Sequence, residues 1–134
     1  MTMLALNIEK APYEIALENS RSLHRFIKTK NFAKSAALYE PFAMLEGPAK
    51  ELYLGQEDIQ LFWEQFSAFN LSSFSDYKGQ ISHSKTDSIS ISARWPMNND
   101  RYIMSFETWA VDSEHSCLLI EQRIVEVSCH STNY

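Results

Sequence analysis

Residues 39–69 decide the fold of this chain and read YEPFAMLEGPAKELYLGQEDIQLFWEQFSAF. A helix should end at Tyr39 or at the next residue, because Pro41 disfavours helical geometry in its predecessor and lacks a backbone N–H. The apolar run Phe42 to Leu45 predicts one short strand, which Gly47 and Pro48 end. A long amphipathic pattern follows from Gly55 onward. Residues 39–69 are therefore the junction between a helical half of the chain and a half made of strands.

The second part of this stretch predicts the clearest helix in the sequence. Gly55 or Gln56 is the expected cap, and Glu57 and Asp58 fall in the first turn, where carboxylates complement the helix dipole. Apolar residues recur at i, i+3, i+4 and i+7, the spacing of one helical face. These residues are Ile59, Phe62, Trp63 and Phe66. We therefore expect a helix with a largely aromatic buried face.

Two more helices are predicted before this junction. Apolar residues follow a helical stripe from Tyr13 to about Lys30, and Pro12 suits a first helical position. Asn31 can cap a second helix that reaches Tyr39. Residues 1–11 are expected to form a loose arm, although their alternating pattern also permits a short edge strand.

After Asn70 the hydrophobic pattern changes to period 2, which is typical of half-buried strands. The predicted strands are residues 76–84, 87–95, 101–111 and 117–128, and a polar tail follows Cys129. Segregated helices and strands indicate the α+β class. We expect three N-terminal helices packed on a strongly curved, mainly antiparallel sheet, which together form a cone-shaped α+β barrel around a cavity.

Length and composition limit the class of protein. A chain of 134 residues, 45% of them hydrophobic, suits a single domain over residues 1–134 with its core at about 13–128. The net charge of −5 disfavours nucleic acid, and no apolar stretch approaches a membrane span. Cys117 and Cys129 fit no metal spacing, and no cofactor motif occurs, so we expect neither metal nor cofactor. Free thiols and the lack of a signal-peptide pattern predict a cytoplasmic location.

One acidic residue interrupts an otherwise apolar predicted strand. On strict alternation Glu107 shares a face with Ser105 and Trp109. If that face lines the cavity, Glu107 is a buried acid that needs a partner. Arg94 and Arg123, on the neighbouring strands, are the candidate partners. The pattern leaves open whether such a pair is a structural cross-strand contact or part of a functional site.

Several of these segments resemble the nuclear transport factor 2-like superfamily, which includes ketosteroid isomerases and SnoaL-like polyketide cyclases and has a cystatin-like fold. The resemblance rests on FAKSAALY at 32–39, MLEGP at 44–48, Gly55 with Glu57-Asp58-Ile59 and Phe62-Trp63, and the final strands with Trp109. It covers about residues 13–127. It implies a ligand cavity and a homodimer formed through the outer face of the sheet. Because Ser88, Ser90 and Ser92 make one side of the sheet polar, the alternate face and the last strand are the other candidate dimer surfaces.

Carried over residue by residue, the resemblance implies roles for two acids. The isomerases place a carboxylate base after the first short strand and before a proline, where this chain has Glu46. An apolar pocket would raise the pKa of Glu46 enough for proton abstraction, whereas a rim position would leave it solvated or capping the turn. The isomerases also place a protonated acid on a central strand, where this chain has Glu107. Their tyrosine on the first helix has no counterpart here, since the corresponding place lies around His24 to Phe26, where there is no tyrosine.

Three functions follow from this reading. The first is a SnoaL-like domain that binds a small hydrophobic molecule without catalysis. The second is a cofactor-independent isomerase, cyclase or dehydratase acting on a carbonyl compound, with Glu46 as base and Glu107 as acid. The third is a structural dimerisation module. The missing tyrosine favours the first or the third. The candidate ligand-binding residues, mostly aromatic as in other concave sites, are Tyr39, Trp63, Phe66, Arg94, Trp109 and Arg123.

Overall fold

A computed structural model describes residues 10–70, 77–97, 100–112, 114 and 116–128. The predicted C-terminal tail and most of the predicted N-terminal arm lie outside these residues. The described residues share one hydrophobic core, which is lined by all of the longer helices and strands. None of the helices in these ranges is long and apolar enough to cross a membrane.

Three helices have the bounds α1 Pro12–Lys28, α2 Phe32–Ala36 and α3 Gly55–Asn70. Pro12 is the first residue of α1, as the sequence predicts. The prediction that α2 reaches Tyr39 is wrong. The chain leaves the helix after Ala36 because Leu38 already pairs with a strand, accepting a hydrogen bond from Leu119 N at 2.8 Å.

Six strands form one mixed sheet in the order β2-β1-β6-β5-β4-β3. Their bounds are β1 Tyr39–Glu46, β2 Leu52–Leu54, β3 Lys78–Ser84, β4 Ser88–Pro96, β5 Arg101–Val111 and β6 Cys117–Ser128. The predicted antiparallel meander is confirmed for β3 to β6. The sheet is mixed because β1 runs parallel to β6. Strand β2, which the sequence did not predict, pairs with β1 in antiparallel register.

Glycine is required where β2 passes into α3. Gly55 has a φ of +85°, a backbone conformation that residues with a Cβ rarely adopt. A Cβ there would also lie 3.4 Å from the carbonyl oxygen of Pro41. The sharp turn brings α3 back over β1 and β2. The aromatic face of α3 is thereby held against the start of the sheet.

The two faces of the sheet differ in what covers them. Helix α1 packs across β3, β4, β5 and β6, and α3 packs on β1 and β2. We call this helix-covered side the inner face and the opposite side the outer face. The buried residues alternate along β5, where they are Ile103, Ser105, Glu107, Trp109 and Val111. The sequence therefore predicts correctly that Glu107, Ser105 and Trp109 share a face, and the structure shows that this face is buried.

Candidate functional site

Glu107 lies on the inner face and is 2% exposed. Its carboxylate accepts three side-chain hydrogen bonds. Ser20 Oγ donates to Oε1 at 2.6 Å, Trp109 Nε1 donates to Oε1 at 2.9 Å, and Ser105 Oγ donates to Oε2 at 2.6 Å. No Lys or Arg in the described part of the chain forms an ion pair with it. Three donors thus take the place of a positive charge beside a buried acid.

Burial raises the pKa of Glu107 above its ordinary value of 4.5. The hydrogen bonds from Ser105, Ser20 and Trp109 act in the opposite direction, because they stabilise the ionised form. The net effect is a raised pKa for Glu107. Desolvation therefore outweighs the three donors, and the proton of this carboxyl group is held more tightly than it would be in water.

A first chain of hydrogen bonds reaches Glu107 from α3 and β1. Trp63 Nε1 donates to Tyr39 Oη at 2.9 Å, and Tyr39 Oη donates to Gln122 Oε1. Gln122 Nε2 then donates to Ser105 Oγ at 2.8 Å, and Ser105 donates to Glu107. All four donors are buried. Every hydrogen in this chain points towards the carboxylate, which is its terminal acceptor.

A second chain reaches Glu107 from the residue before β3. Tyr77 Oη donates to Ser20 Oγ at 2.7 Å, and Ser20 donates to Glu107. Tyr77 is partly exposed, and burial raises its pKa to about 12. A Cβ at Gly79 would lie 1.9 Å from Tyr77 Oη. Glycine at this strand position therefore allows the tyrosine ring to fold back over the backbone towards Ser20.

An aromatic cluster lies beside these chains on the inner face. Trp95 stacks on Trp63 with ring centroids 5.2 Å apart, and the ring of His24 meets Trp95 edge-on at 5.0 Å. Phe66 packs edge-on against Trp63 at 5.7 Å. Trp95 is fully buried, yet its Nε1 has no hydrogen-bond partner among the described residues. Such buried donors are rare in folded proteins and call for a specific explanation.

The structure brings five of the eight predicted site residues together on or against the inner face. They are Tyr39, Trp63, Phe66, Glu107 and Trp109. Trp63 and Tyr39 are joined through their polar atoms, and Trp109 binds Glu107 directly. The roles of these residues in binding or catalysis stay predictions.

The other three predicted site residues lie on the outer face. Glu46 is in register with Arg123 in the parallel β1–β6 pair, so their side chains share a face, whereas Glu107 is in register with the buried Gln122. Glu46, Phe106 and Arg123 line an open outer-face depression of about 300 Å³. Its lining also includes Glu107 and Gln122, but both are buried residues whose side chains face inward. Glu46 and Glu107 are therefore on opposite sides of the sheet and are not brought together.

The expected pairing of Glu107 with Arg94 or Arg123 is wrong. Both arginines are exposed. The Arg94 guanidinium lies over the ring of Tyr102 at 4.0 Å, and that of Arg123 lies over Phe106 at 4.7 Å. The register explains the error, because Arg94 pairs with Met104 and Arg123 pairs with Phe106. These two β5 residues alternate with Glu107 and project to the outer face.

Sequence reasoning missed Ser20, Tyr77 and Gln122 as members of the site. Ser20 carried a usable signal, since it occupies a position of the α1 stripe whose other buried members include Ala16 and Leu23. A serine in such a stripe needs a buried acceptor. Tyr77 and Gln122 carried no comparable local signal.

No group of three or more His, Cys, Asp or Glu side chains converges on a common point within the described ranges. Cys117 is a buried free cysteine, and burial raises its pKa to about 11. The inner face therefore combines aromatic side chains with hydroxyl, amide and indole groups around one carboxylate.

Comparisons with known proteins identify the fold. No family model and no curated protein matches the sequence. Among solved structures, a cystatin-like fold protein from Burkholderia xenovorans LB400 is similar over 87% of this chain and 92% of its own, at 14% identity and a TM-score of 0.70. A ketosteroid isomerase-like protein from Erwinia carotovora atroseptica SCRI1043 is similar over 90% and 99%, at 8% identity and a TM-score of 0.72.

A nuclear transport factor 2-like protein from Pseudomonas putida KT2440 is similar over 84% of each chain, at 9% identity and a TM-score of 0.66. At these identities the likeness concerns the fold. The chain has the cystatin-like, nuclear transport factor 2-like fold that the sequence resemblance predicts. Function has to be argued from the site itself, because this fold hosts unrelated activities.

Proposed function

We propose that the protein binds a small, largely apolar, uncharged molecule on the inner face, within a cone-shaped space between the curved sheet and the helices. The observation that carries the proposal is the buried Trp95 Nε1, which has no hydrogen-bond partner among the described residues. A hydrogen-bond acceptor on the ligand, such as a carbonyl or ether oxygen, would satisfy it. The rings of His24, Trp63 and Phe66 would form the apolar surroundings.

The electrostatics of the inner face support an uncharged ligand. Glu107 is the carboxylate of this face, and it has no Lys or Arg ion-pair partner among the described residues. A carboxylate or phosphate on the ligand would be desolvated without a described cation to pair with and would repel Glu107. A neutral acceptor avoids both costs.

A two-carboxylate isomerase is less well supported. A substrate on the inner face can contact Glu107 but not Glu46, whose side chain shares the outer face with Arg123. Glu107 also accepts from all three of its described partners, whereas a neutral catalytic acid would have to donate. We therefore assign binding to the inner face and no proton abstraction to Glu46.

We further propose that two copies associate through the outer face at the β1–β2 edge. Phe42, Leu52 and Leu54 are 86%, 58% and 62% exposed. The register of β1 with β2 places Leu52 beside Glu46 and Leu54 beside Met44, on the outer face. Exposed apolar groups of this kind commonly mark association surfaces.

The free, buried Cys117 is compatible with a reducing cytoplasm.

The binding proposal can be tested with prodan, a fluorescent naphthyl ketone that is neutral and offers one carbonyl acceptor. We expect the wild-type protein to bind it with a blue shift in emission. Trp95→Phe should weaken binding about tenfold, because one hydrogen bond of about 1.4 kcal/mol is lost.

Arg94→Ala is the matched control, since it removes a predicted ligand-binding residue from the outer face. It should leave the prodan affinity unchanged. Equal affinities for wild type and Trp95→Phe, at equal melting temperatures, would contradict the role of the indole N–H. A loss of affinity in Arg94→Ala would move the site to the outer face.

A further inference from the structure

Glu107 has three described hydrogen-bond donors, and they differ in whether a proton can pass through them. Trp109 Nε1 is a donor only, since the lone pair of an indole nitrogen belongs to the aromatic π system and does not accept a proton. Ser105 receives its own hydrogen bond from the amide nitrogen of Gln122, which is also a donor only. Beyond the amide, the chain ends at the indole of Trp63. Neither direction offers a path along which a proton can be relayed to Glu107.

Ser20 is different because it leads to a second hydroxyl group. Its Oγ accepts from Tyr77 Oη at 2.7 Å and donates to Glu107 Oε1 at 2.6 Å. A hydroxyl can accept a proton on its oxygen while giving up the one that it holds. Tyr77 is partly exposed, whereas Ser20 and Glu107 are buried. This chain therefore runs from a partly exposed residue to the buried carboxylate.

We propose that Tyr77, Ser20 and Glu107 form a proton path that connects the buried carboxylate with solvent. Tyr77 Oη takes a proton from solvent and passes its own to Ser20 Oγ, and Ser20 passes its proton to Glu107 Oε1. Glu107 gains one proton, and both hydroxyl groups end with reversed hydrogen bonds. No electron is transferred and no heavy-atom bond changes.

Gly79 keeps the path intact. The hydroxyl of Tyr77 occupies the place that a Cβ at residue 79 would fill, at 1.9 Å, and the ring carbon Cζ lies only 2.4 Å from it. Gly79 does not have a positive φ, so the backbone itself would accept alanine. The glycine is therefore required by the position of the tyrosine hydroxyl rather than by the turn of the chain.

Several titratable or charged groups surround the path. From α1, the Arg21 guanidinium lies 5.6 Å from the Tyr77 ring centroid, and the His24 ring lies 5.7 Å from it. From β1, Tyr39 interacts electrostatically with Glu107. From β4 and β6, the register partners of Glu107 are Ile91 and Gln122, which do not titrate. Arg21 favours the ionised form of Tyr77 and Glu107 opposes it.

The proton path would regulate the inner-face site, and this regulatory role rests on the proposed binding function. The existence of the path does not depend on ligand binding. A proton on Glu107 would remove the buried negative charge from the face that holds the proposed ligand. Proton uptake can be measured on the protein alone, without any ligand. Failure of the path would thus leave the prodan experiment untouched, and the reverse also holds.

The test is a pH jump from neutral to mildly acidic solution, followed by time-resolved infrared spectroscopy. The protonated carboxyl stretch of Glu107 is identified as the band that disappears in Glu107→Gln. We expect Tyr77→Phe to slow the appearance of this band by about tenfold or more, because a positioned proton carrier is lost. The midpoint of its equilibrium titration should change much less than the rate.

Gly79→Ala is the second variant and keeps every residue of the path while displacing the Tyr77 hydroxyl. It should slow proton uptake as Tyr77→Phe does. Tyr39→Phe is the matched control, a buried tyrosine in the chain that ends at an indole, and should titrate at the wild-type rate. Wild-type rates in both Tyr77→Phe and Gly79→Ala would overturn the proposal. Equal slowing in Tyr39→Phe, or a Glu107 band that never titrates, would also overturn it.

Discussion

Both faces of β5 carry polar and aromatic side chains, but these are buried on the inner face and partly exposed on the outer face. On the inner face Ser105, Glu107 and Trp109 are buried, and each polar atom has a defined partner. On the outer face Phe106 and Thr108 are partly exposed and line the open depression that Glu46 and Arg123 share. A polar side chain on the outer face can exchange its partner for water. On the inner face it cannot, so each substitution there affects its neighbours.

The largest effect is expected for replacing the buried carboxylate with an apolar side chain of similar size. Glu107→Leu leaves the hydrogen bonds of Ser20, Ser105 and Trp109 without an acceptor. Buried donors without partners should lower the free energy of unfolding by about 3 kcal/mol. Urea denaturation of wild type and variant would measure this difference.

Thr108→Val, one residue along the same strand but on the outer face, is the matched control. It should change the free energy of unfolding by less than about 0.5 kcal/mol. Equal effects of the two substitutions would break the distinction between the faces of β5.

A smaller effect is expected at two glycines whose added Cβ would meet a side chain. At Gly79 the Cβ would meet the ring and hydroxyl of Tyr77, which is anchored to Ser20. At Gly47 it would meet the Glu51 carboxylate at 2.6 Å, the far end of a flexible side chain. Gly79→Ala should therefore cost about 1–2 kcal/mol, and Gly47→Ala should cost less.

Chemical denaturation of both variants gives the comparison. A larger cost at Gly47 would mean that the Glu51 carboxylate is more rigidly held than the Tyr77 ring. The inner-face hydroxyl chain would then not be the better ordered of the two regions.

A smaller effect is expected in the pH dependence of stability, which reports on the protonation of Glu107 on the inner face. The folded protein holds the Glu107 proton more tightly than the unfolded chain, since its pKa is raised from 4.5. The stabilisation from this proton is fully present below pH 4.5 and is lost as pH rises through the folded-state pKa. Lowering the pH through this window should therefore stabilise wild type relative to Glu107→Gln.

Urea denaturation of the pair at a series of pH values would record this trend. A difference that stays constant, or that falls on acidification, would show that the carboxyl group does not titrate with a raised pKa. Thr108→Val on the outer face supplies the control, because it removes no titratable group and should show no matching trend.

The smallest effect on stability is expected at the outer-face edge, where the readout is instead the molar mass. Phe42→Ser combined with Leu54→Ser removes two exposed apolar side chains and should leave the stability of one copy nearly unchanged. If the outer face joins two copies, light scattering should show a dimer for wild type and a monomer for the double variant. A wild-type monomer at high protein concentration would contradict the association.

Much of the fold could be predicted from local patterns. The aromatic stripe of α3 and the alternation along β5 are periodic over many residues, and the structure confirms both. Strand β2 was missed because its three residues are too few to show a period, and they pair with β1 only after Gly55 turns the chain. The end of α2 was misplaced because strand pairing at Leu38 overrides local helix preference.

The site was harder to predict than the fold. Glu107 is recognisable in the sequence because a charge interrupts an apolar face. Gln122 is not, because the β5–β6 register shifts between Thr108 and Trp109, so that Leu119 and Gln122 both face inward despite their odd spacing. A bulge of this kind changes which residues of a strand are buried and leaves no periodic trace.

The sequence by itself determined the class of fold, the aromatic inner face and the presence of one acid on that face. These follow from periodicity, which each segment carries independently of the rest of the chain. Only the tertiary structure decided that Glu46 and Glu107 lie on opposite sides of the sheet. It also decided that Ser20 and Tyr77, 57 residues apart, meet beside Glu107. Such contacts depend on register and on helix placement across the sheet, which no single segment specifies.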